Sequence, residues 1–260
     1  MSQIYSKFLQ DTLLKQKKSI QSYTIEDKKV WLKKATSRHS TLIYLPLTWF
    51  AKLFNLSMFR PVPNHGGEKT IICEVTRIQQ LSRVGINVPT ILAYSPNGIL
   101  LEDNAKNNVP VHQLQSALSK EHSIESRLSL YQEAIQHIQH IHNLNCYLSE
   151  AFARNILVDE YRNFSFIDFE TDPGQILTLE ECYIRDWLCL IFSTASCFEE
   201  KDLPQVAELF KINFKNNQKS YDSICKIGQK IKWIRHLKLD KLGSDGRRLQ
   251  KCILLLLLLH

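Results

Sequence analysis

Two polar side chains stand at the ends of two short apolar runs in the middle of the chain. Asn155 opens the first run, Asp168 closes the second, and the four residues Glu160–Asn163 join the runs. So tight a connection predicts an antiparallel hairpin whose open end brings Asn155 and Asp168 together. An amide oxygen and a carboxylate are hard ligands of the kind that Mg²⁺ takes, with water and phosphate completing its shell. The spacing therefore predicts a magnesium site at the open end of the hairpin.

A carboxylate five residues before Asn155 adds acid–base chemistry to this pair. Glu150 lies on the segment that leads into the predicted hairpin. There it could accept the proton of a hydroxyl group or orient a nucleophile.

These residues resemble the catalytic segments of protein-kinase-like enzymes. The pattern E-x-x-x-x-N from Glu150 to Asn155 is similar to H-R-D-x-x-x-x-N, and I-D-F-E at 167–170 is similar to D-F-G. The resemblance implies an α+β fold of two lobes, a small β-rich N-lobe and a helical C-lobe, with ATP in the cleft between them. It also implies Mg²⁺ held by Asn155 and Asp168, and Glu150 as the candidate base.

Four further segments match this family in chain order. V-W-L-K at 30–33 resembles the V-A-I-K strand, which would place Lys33 against the phosphates of the nucleotide. Glu74 matches the acidic partner of that lysine. G-I-L-L-E-D at 98–103 resembles the strand before the hinge, where the backbone of Glu102 and Asp103 would meet adenine. Asp186, in I-R-D-W-L, resembles the buried aspartate that braces the catalytic loop.

Within the superfamily the chain is most similar to lipopolysaccharide kinases of the Kdo/WaaP type and to the RIO-like branch. The I-D-F-E motif, the short chain, and the stretch from Arg60 through the G-I-N-V-P-T-I-L segment carry this likeness. Such enzymes phosphorylate inner-core sugars at the cytoplasmic face of the inner membrane, or proteins. The resemblance implies a hydroxyl acceptor, on a lipopolysaccharide core sugar or a protein Ser/Thr, and a cytoplasmic protein.

The chain departs from the family at two places. No glycine precedes Gly66, so a glycine-rich phosphate loop is absent, and the backbone of Lys15–Ser19 would cover the phosphates instead. The catalytic loop carries Leu148, Ser149 and Glu150 where the family has His, Arg and Asp. Phe152 replaces the usual lysine, and Arg154 could supply that positive charge or bind Glu150.

The elements that must position these residues follow from hydrophobic spacing in the first half of the chain. A short helix is expected over 3–14, and two strands over 19–25 and 28–35 with Glu26-Asp27 at the turn. Apolar residues at helical spacing predict a helix over 68–84, ended by Gly85. A second strand pair is expected over 88–94 and 98–102.

The second half is predicted to be mainly helical. A long helix with one apolar stripe precedes the hairpin, and its His137, His140 and His142 are interpreted as exposed polar-face residues. A largely buried helix is expected over 179–197. The C-terminal run C-I-L-L-L-L-L-L-H is too short to span a bilayer and is interpreted as a last buried helix. We expect the N-lobe to cover 1–103 and the C-lobe 104–260.

Charge is unevenly distributed along the 260 residues, whose net charge is +7. Residues 1–35 carry 8 Lys/Arg and 3 Asp/Glu, and residues 211–251 carry 12 and 3. Such basic ends suit solvated helix faces or contact with an anionic partner. No nucleic-acid-binding motif accompanies them, which disfavours that class. Seven cysteines without a C-x-x-C pair indicate reduced thiols rather than disulfides or zinc.

Residues 41–59 form an apolar insertion interrupted by Pro46 and Lys52. The interruptions argue against a membrane span, so internal packing and peripheral contact with the inner membrane both remain open.

The sequence leaves two functions open. One is an ATP- and Mg²⁺-dependent phosphotransferase. The other is a pseudokinase, which would bind nucleotide or partners in the same cleft without transfer, as the altered catalytic loop allows.

Overall fold

The protein has a mixed α+β fold with a small antiparallel sheet region and many helices, an arrangement compatible with two lobes. The computed structural model describes residues 3–35, 62, 64, 66–105, 109–237 and 243–260. The apolar insertion at 41–59 lies outside these residues. The boundary expected between 103 and 104 stays a prediction.

The strands are β1 (Ile20–Ile25), β2 (Lys28–Lys34), β3 (Ile91–Ser95), β4 (Gly98–Glu102), β5 (Val111–Gln113), β6 (Ile156–Asp159) and β7 (Phe164–Phe166). The α-helices are α1 (Gln3–Leu13), α2 (Gly67–Arg83), α3 (Leu114–Lys120), α4 (Ile124–Asn143), α5 (Leu179–Thr194), α6 (Leu203–Asn213), α7 (Gln218–Ile231) and α8 (Gly243–Leu258). Short 3-10 turns lie at Pro173–Gln175, Ala195–Cys197, Glu200–Asp202, Phe214–Asn216 and Lys232–His236.

The first sheet has the strand order β1-β2-β4-β3, with every pair antiparallel. Alternation along β2 divides its side chains between the two faces of the sheet. Val30 and Leu32 are fully buried against the face that α1 covers. Trp31 and Lys33 belong to the opposite face and line a cavity. The alternating pattern of β2 thus supplies both a core and a polar site.

The predicted hairpin between β1 and β2 is confirmed. Glu26 and Asp27 form its turn with φ of 49° and 62°, and Ile25 pairs with Lys28. A two-residue turn with both φ values positive matches the right-handed twist of the flanking strands. Aspartate tolerates this backbone better than most residues do.

Helix α2 also matches its prediction within a residue at each end. Its buried side chains include Ile71, Val75 and Ile78, which recur at helical spacing. The helix ends because Gly85 adopts φ +82° and the Ile86 amide returns to the Leu81 carbonyl. This ending fixes the direction in which the chain leaves toward β3.

The second sheet, β5-β6-β7, contains the predicted mid-chain hairpin. Its two main strands are shorter than the expected 155–159 and 164–168. Beyond the last strand pair, the Ile167 amide still donates to the Asn155 carbonyl at 3.0 Å. This hydrogen bond holds the two ends of the hairpin together, as the sequence predicted.

The helical part packs around large buried aromatic side chains, including Trp187 of α5 and Tyr131 of α4. Thr178 caps α5 reciprocally with Glu181, so the start of that helix is fixed. The C-terminal run forms α8, and Ile253, Leu255 and others are buried as predicted. Among the described residues, no helix has both the length and the apolarity needed to cross a bilayer.

Candidate functional site

Lys33 of β2 is the centre of a charged cluster. Its ammonium lies 3.0 Å from Glu74 Oε1, 2.8 Å from Asp168 Oδ1 and 2.9 Å from Glu170 Oε1. These carboxylates come from α2 and from the segment after β7, so residues up to 137 positions apart meet at one nitrogen. The predicted grouping of Lys33, Glu74 and Asp168 is therefore present in the structure.

The centre of the cluster lies largely away from water, and the pKa values of Lys33 and Glu74 are shifted. Burial would lower the pKa of Lys33, but the attraction of the three carboxylates outweighs burial and raises that pKa above its ordinary value. Burial raises the pKa of Glu74, whose side chain is 2% exposed, and Lys33 partly opposes the rise. Lys33 is therefore a permanent cation at neutral pH.

Asp168 stands at the open edge of this cluster. Its side chain is 41% exposed, and its backbone adopts φ +72°. A left-handed conformation at a non-glycine residue costs energy and often occurs where a side chain must be aimed. Since the Ile167 amide is bound to Asn155, the backbone leading into Asp168 is fixed on one side.

Asn155 lies at the base of the same cleft and is 5% exposed. Its side-chain nitrogen donates to the Glu150 carbonyl at 3.1 Å. This bond directs the amide nitrogen toward the protein and leaves the amide oxygen as the acceptor for the cleft. The bond also ties Asn155 to the loop that carries Glu150.

The carboxylate of Glu150 binds Arg185 of α5 rather than Arg154, with Arg185 Nη2 lying 3.1 Å from Glu150 Oε1. The guanidinium of Arg154 lies over the Phe152 ring, 4.5 Å from its centre. Arg154 lines the cleft, whereas Glu150 is not among the lining residues. The structure thus places the predicted cation in the cleft and the predicted base at its margin.

Asp186 holds in place the loop that carries Leu148 and Glu150. Its side chain is fully buried and accepts hydrogen bonds from the Leu148 amide at 2.7 Å and from His142 Nε2 at 3.1 Å. The interpretation of His142 as an exposed residue is wrong: it is 4% exposed and stacks on Tyr183. The buried face of α4 is wider than the stripe of aliphatic residues predicted, because His142 is buried next to Ile141.

Strain accompanies this loop as well. Ser149, between the braced Leu148 and Glu150, adopts φ +75° and is 1% exposed. Ser149 and Asp168 are therefore two non-glycine residues in left-handed conformations on the two segments that meet at the cleft. Such backbone is maintained only where the surrounding structure holds it.

The Lys33 cluster, Arg154 and Asn155 all line one cavity of about 540 Å³. Its polar wall contains Lys33, Asn155 and Asp168, and its apolar wall is made by side chains from both sheets and the connections beside them: Ile20, Trp31, Pro89, Leu101, Val111, Leu157 and Ile167. A mixed wall of this size suits a ligand with a flat apolar part and a charged part. A larger cavity of about 710 Å³ lies beyond Asn104, but the Lys33 cluster does not reach it.

Glu102 and Asp103 are at the other end of this cavity. The Glu102 amide donates to the Thr90 carbonyl, and the Asp103 amide donates to the Lys29 carbonyl. The Asp103 carboxylate binds Trp31 Nε1 at 2.6 Å and the Lys29 ammonium at 2.9 Å. Both backbone amides of this pair are therefore engaged within the protein.

Two residues of the site, Glu170 and Trp31, were not predicted from the sequence. Trp31 was recoverable from spacing, because it lies two positions before Lys33 on one strand, where residues two apart share a face. Glu170 was not, because Asp168 lies beyond the end of β7 and its backbone is left-handed rather than extended.

Within the described ranges, no group of three or more His, Cys, Asp or Glu is arranged to hold a metal ion. A divalent cation in the cleft would therefore depend on Asn155 and Asp168, together with water and the ligand's own phosphates. The donor set fits this use, because both residues present oxygen and both line the cavity.

Neither the known protein-family models nor the curated proteins give a match to this chain.

Proposed function

We propose that the protein is an ATP- and Mg²⁺-dependent phosphotransferase with a protein-kinase-like fold. The observation that carries the proposal is the contact of Lys33 with both Glu74 and Asp168 inside a cleft. Phosphoryl transfer needs a fixed cation for the phosphates and an oxygen ligand for a metal. The cluster offers both within hydrogen-bond distance.

The cleft has room and chemistry for the nucleotide. The apolar wall, with Trp31 and Leu101, suits a purine ring, and the Lys33 end suits a triphosphate. Lys33 is held by three carboxylates, so phosphate oxygens would take over part of its coordination on binding. Glu74, the most buried of the three, would keep the ammonium in place during that exchange.

Asn155 and Asp168 would hold Mg²⁺, which would neutralise charge on the bound phosphates. Glu150 would accept the proton of the acceptor hydroxyl. The hydroxyl oxygen then bonds to the γ-phosphorus while the bond from that phosphorus to the β-γ bridging oxygen breaks. ADP leaves, and Arg154 faces the transferred group from the wall of the cleft.

The acceptor is a hydroxyl group, on a lipopolysaccharide core sugar or on a protein Ser/Thr.

Substitution of the metal ligand tests the proposal. We expect Asp168→Asn to reduce phosphate transfer from ATP about a thousandfold, because charge stabilisation near the phosphates is lost. Transfer would be measured with radiolabelled ATP, a lipopolysaccharide core acceptor and generic protein acceptors. Asp159→Asn, on the far end of the same hairpin, is the matched control and should retain transfer. Undiminished transfer by Asp168→Asn would contradict the proposal.

A pseudokinase is the second candidate, and one observation favours it: Glu150 does not line the cavity and is held by Arg185. Thermal shift with ATP, with and without Mg²⁺, and a phosphate-release assay separate the two functions. Stabilisation that depends on Mg²⁺ without any release would favour the pseudokinase.

A further inference from the structure

The loop that joins α1 to β1 exposes an apolar side chain among lysines. We call residues 14–19 the basic loop. Leu14 is 92% exposed, more than any other large apolar side chain in the described part of the chain. Lys15, Lys17 and Lys18 are exposed beside it, and the loop contains no acidic residue.

A buried glutamine fixes the basic loop in place. Gln16 is 5% exposed, and its side-chain nitrogen donates to the carbonyls of Lys18 and Leu32. Its side-chain oxygen accepts from the Tyr23 hydroxyl, and its carbonyl accepts from the Lys34 ammonium. Four hydrogen bonds therefore hold one side of the loop, and the side chains of Leu14, Lys15, Lys17 and Lys18 are exposed.

The three lysines make no ion pair with any described residue. A single exposed leucine is common on protein surfaces and carries no argument by itself. An exposed leucine on a loop that Gln16 anchors, flanked by unpaired lysines, is different, because it matches the boundary between anionic headgroups and acyl chains.

The basic loop also borders the candidate active cleft. Ser19 and the half-exposed Ile20 line the mouth of the cavity, and the Ser19 carbonyl accepts from the Lys34 amide at 2.8 Å. A surface bound to this loop would therefore lie beside the opening through which an acceptor enters.

We propose that the basic loop docks the protein on bilayers that contain anionic phospholipid. Leu14 enters the headgroup region, and Lys15, Lys17 and Lys18 pair with lipid phosphates. This docking is a separate property from phosphate transfer and stands without it.

Sedimentation with vesicles tests the docking. The full chain should bind vesicles of phosphatidylcholine mixed with phosphatidylglycerol, and should bind phosphatidylcholine alone weakly. Each lysine near an anionic surface contributes about a fivefold factor in partitioning. The triple variant Lys15→Gln, Lys17→Gln, Lys18→Gln should therefore lose about a hundredfold in vesicle affinity, and Leu14→Ser should lose part of the remainder.

The matched control removes the same charge from exposed lysines of the C-terminal helices, by Lys211→Gln, Lys215→Gln and Lys226→Gln. This variant should keep its vesicle affinity within about twofold. An equal loss in both triple variants would overturn the proposal, because net charge rather than the loop would then decide binding.

The nucleotide and nucleic acids are the other anionic ligands that these lysines could meet. The basic-loop triple variant is therefore also titrated with ATP and Mg²⁺, followed by thermal shift, and with duplex DNA. If ATP or duplex DNA binding falls while vesicle binding stays, the proposal is wrong. A Leu14→Trp variant provides a second measurement: brominated phospholipid should quench its added fluorescence, and unquenched emission would contradict insertion.

Discussion

The Lys33 cluster and the Asp186 brace both place charge inside the protein, but they do so in opposite ways. Lys33 is surrounded by carboxylates, one of which, Asp168, remains 41% exposed. Asp186 is completely buried, and its Oδ2 accepts hydrogen bonds from a backbone amide and a histidine. Partners in the first group can be exchanged for a ligand, whereas those in the second cannot be reached by one. Under the proposed function the cluster binds a ligand, whereas the brace holds a loop in place.

The brace should give the largest loss of stability. Asp186→Ala leaves the Leu148 amide and His142 without their acceptor in the core, which we expect to lower the free energy of unfolding by about 3 to 5 kcal/mol. Urea denaturation followed by tryptophan fluorescence measures this loss. Asp222→Ala, an exposed carboxylate on α7, should change it by less than about 0.5 kcal/mol. A similar small change in Asp186→Ala would show that the loop does not need the brace.

The Lys33 cluster should respond to pH when its cation is removed. Lys33→Met leaves Glu74 buried and unpaired, which we expect to cost about 3 kcal/mol at neutral pH. Burial already raises the pKa of Glu74, and loss of the ammonium raises it further. A carboxyl group whose folded-state pKa is raised stabilises the fold at low pH, and that contribution is lost as the pH rises. The deficit of Lys33→Met should therefore shrink as the solution is acidified.

Urea denaturation across a pH series checks this trend. Lys34→Met is the matched control, because the Lys34 ammonium donates to the Gln16 carbonyl and makes no ion pair with a carboxylate in the described part of the chain. A deficit of Lys33→Met that is the same at every pH would contradict the assignment of Glu74 as its cause.

Asp103 should show a smaller effect with the opposite pH dependence. Burial would raise the pKa of Asp103, but hydrogen bonds from Lys29, the Ala105 amide and Trp31 outweigh it and lower that pKa. A lowered pKa gives stability that is present above the ordinary value of about 3.9 and is lost as the pH falls through the folded-state pKa. We expect Asp103→Asn to cost about 1 to 2 kcal/mol at neutral pH and nothing in strong acid.

The same denaturation series measures this difference. Glu102→Gln is the control, since its ion pair with Lys28 spans 3.8 Å and is exposed to solvent. Such a pair contributes little, so the control should lie within about 0.5 kcal/mol of the parent at every pH. If Asp103→Asn still lowers the free energy of unfolding in strong acid, packing rather than charge would explain the loss.

Much of this arrangement could be predicted from the sequence because it follows local rules. The turn at Glu26-Asp27, the end of α2 at Gly85 and the hairpin from Asn155 each depend on residues a few positions apart. The meeting of Lys33 with Glu74 and Asp168 was expected only from the resemblance to kinases, since no local pattern encodes a contact across 135 positions.

What the sequence could not supply was the choice among alternative partners. Glu150 could have bound Arg154, and the structure pairs it with Arg185 instead. His142 was expected on the surface, but a partner 44 positions away draws it into the core. Both outcomes depend on how α4 and α5 pack, and a buried polar residue is stable only where packing provides its partner.

The smallest predicted effect concerns Asp168. It separates the cost of its left-handed backbone, measured as stability, from the role of its carboxylate, measured as phosphate transfer. Its φ of +72° costs an alanine about 1 kcal/mol but costs glycine little. Asp168→Gly should therefore be about 1 kcal/mol more stable than Asp168→Ala, while neither transfers phosphate. The control pair is Asp27→Gly and Asp27→Ala, at φ 62° in the hairpin turn, where the same order of stability should appear with transfer retained. If the glycine and alanine variants are equally stable at 168 but not at 27, the surrounding fold does not hold the backbone of Asp168 in its left-handed conformation. The position of the Asp168 carboxylate in the Lys33 cluster would then not depend on that conformation.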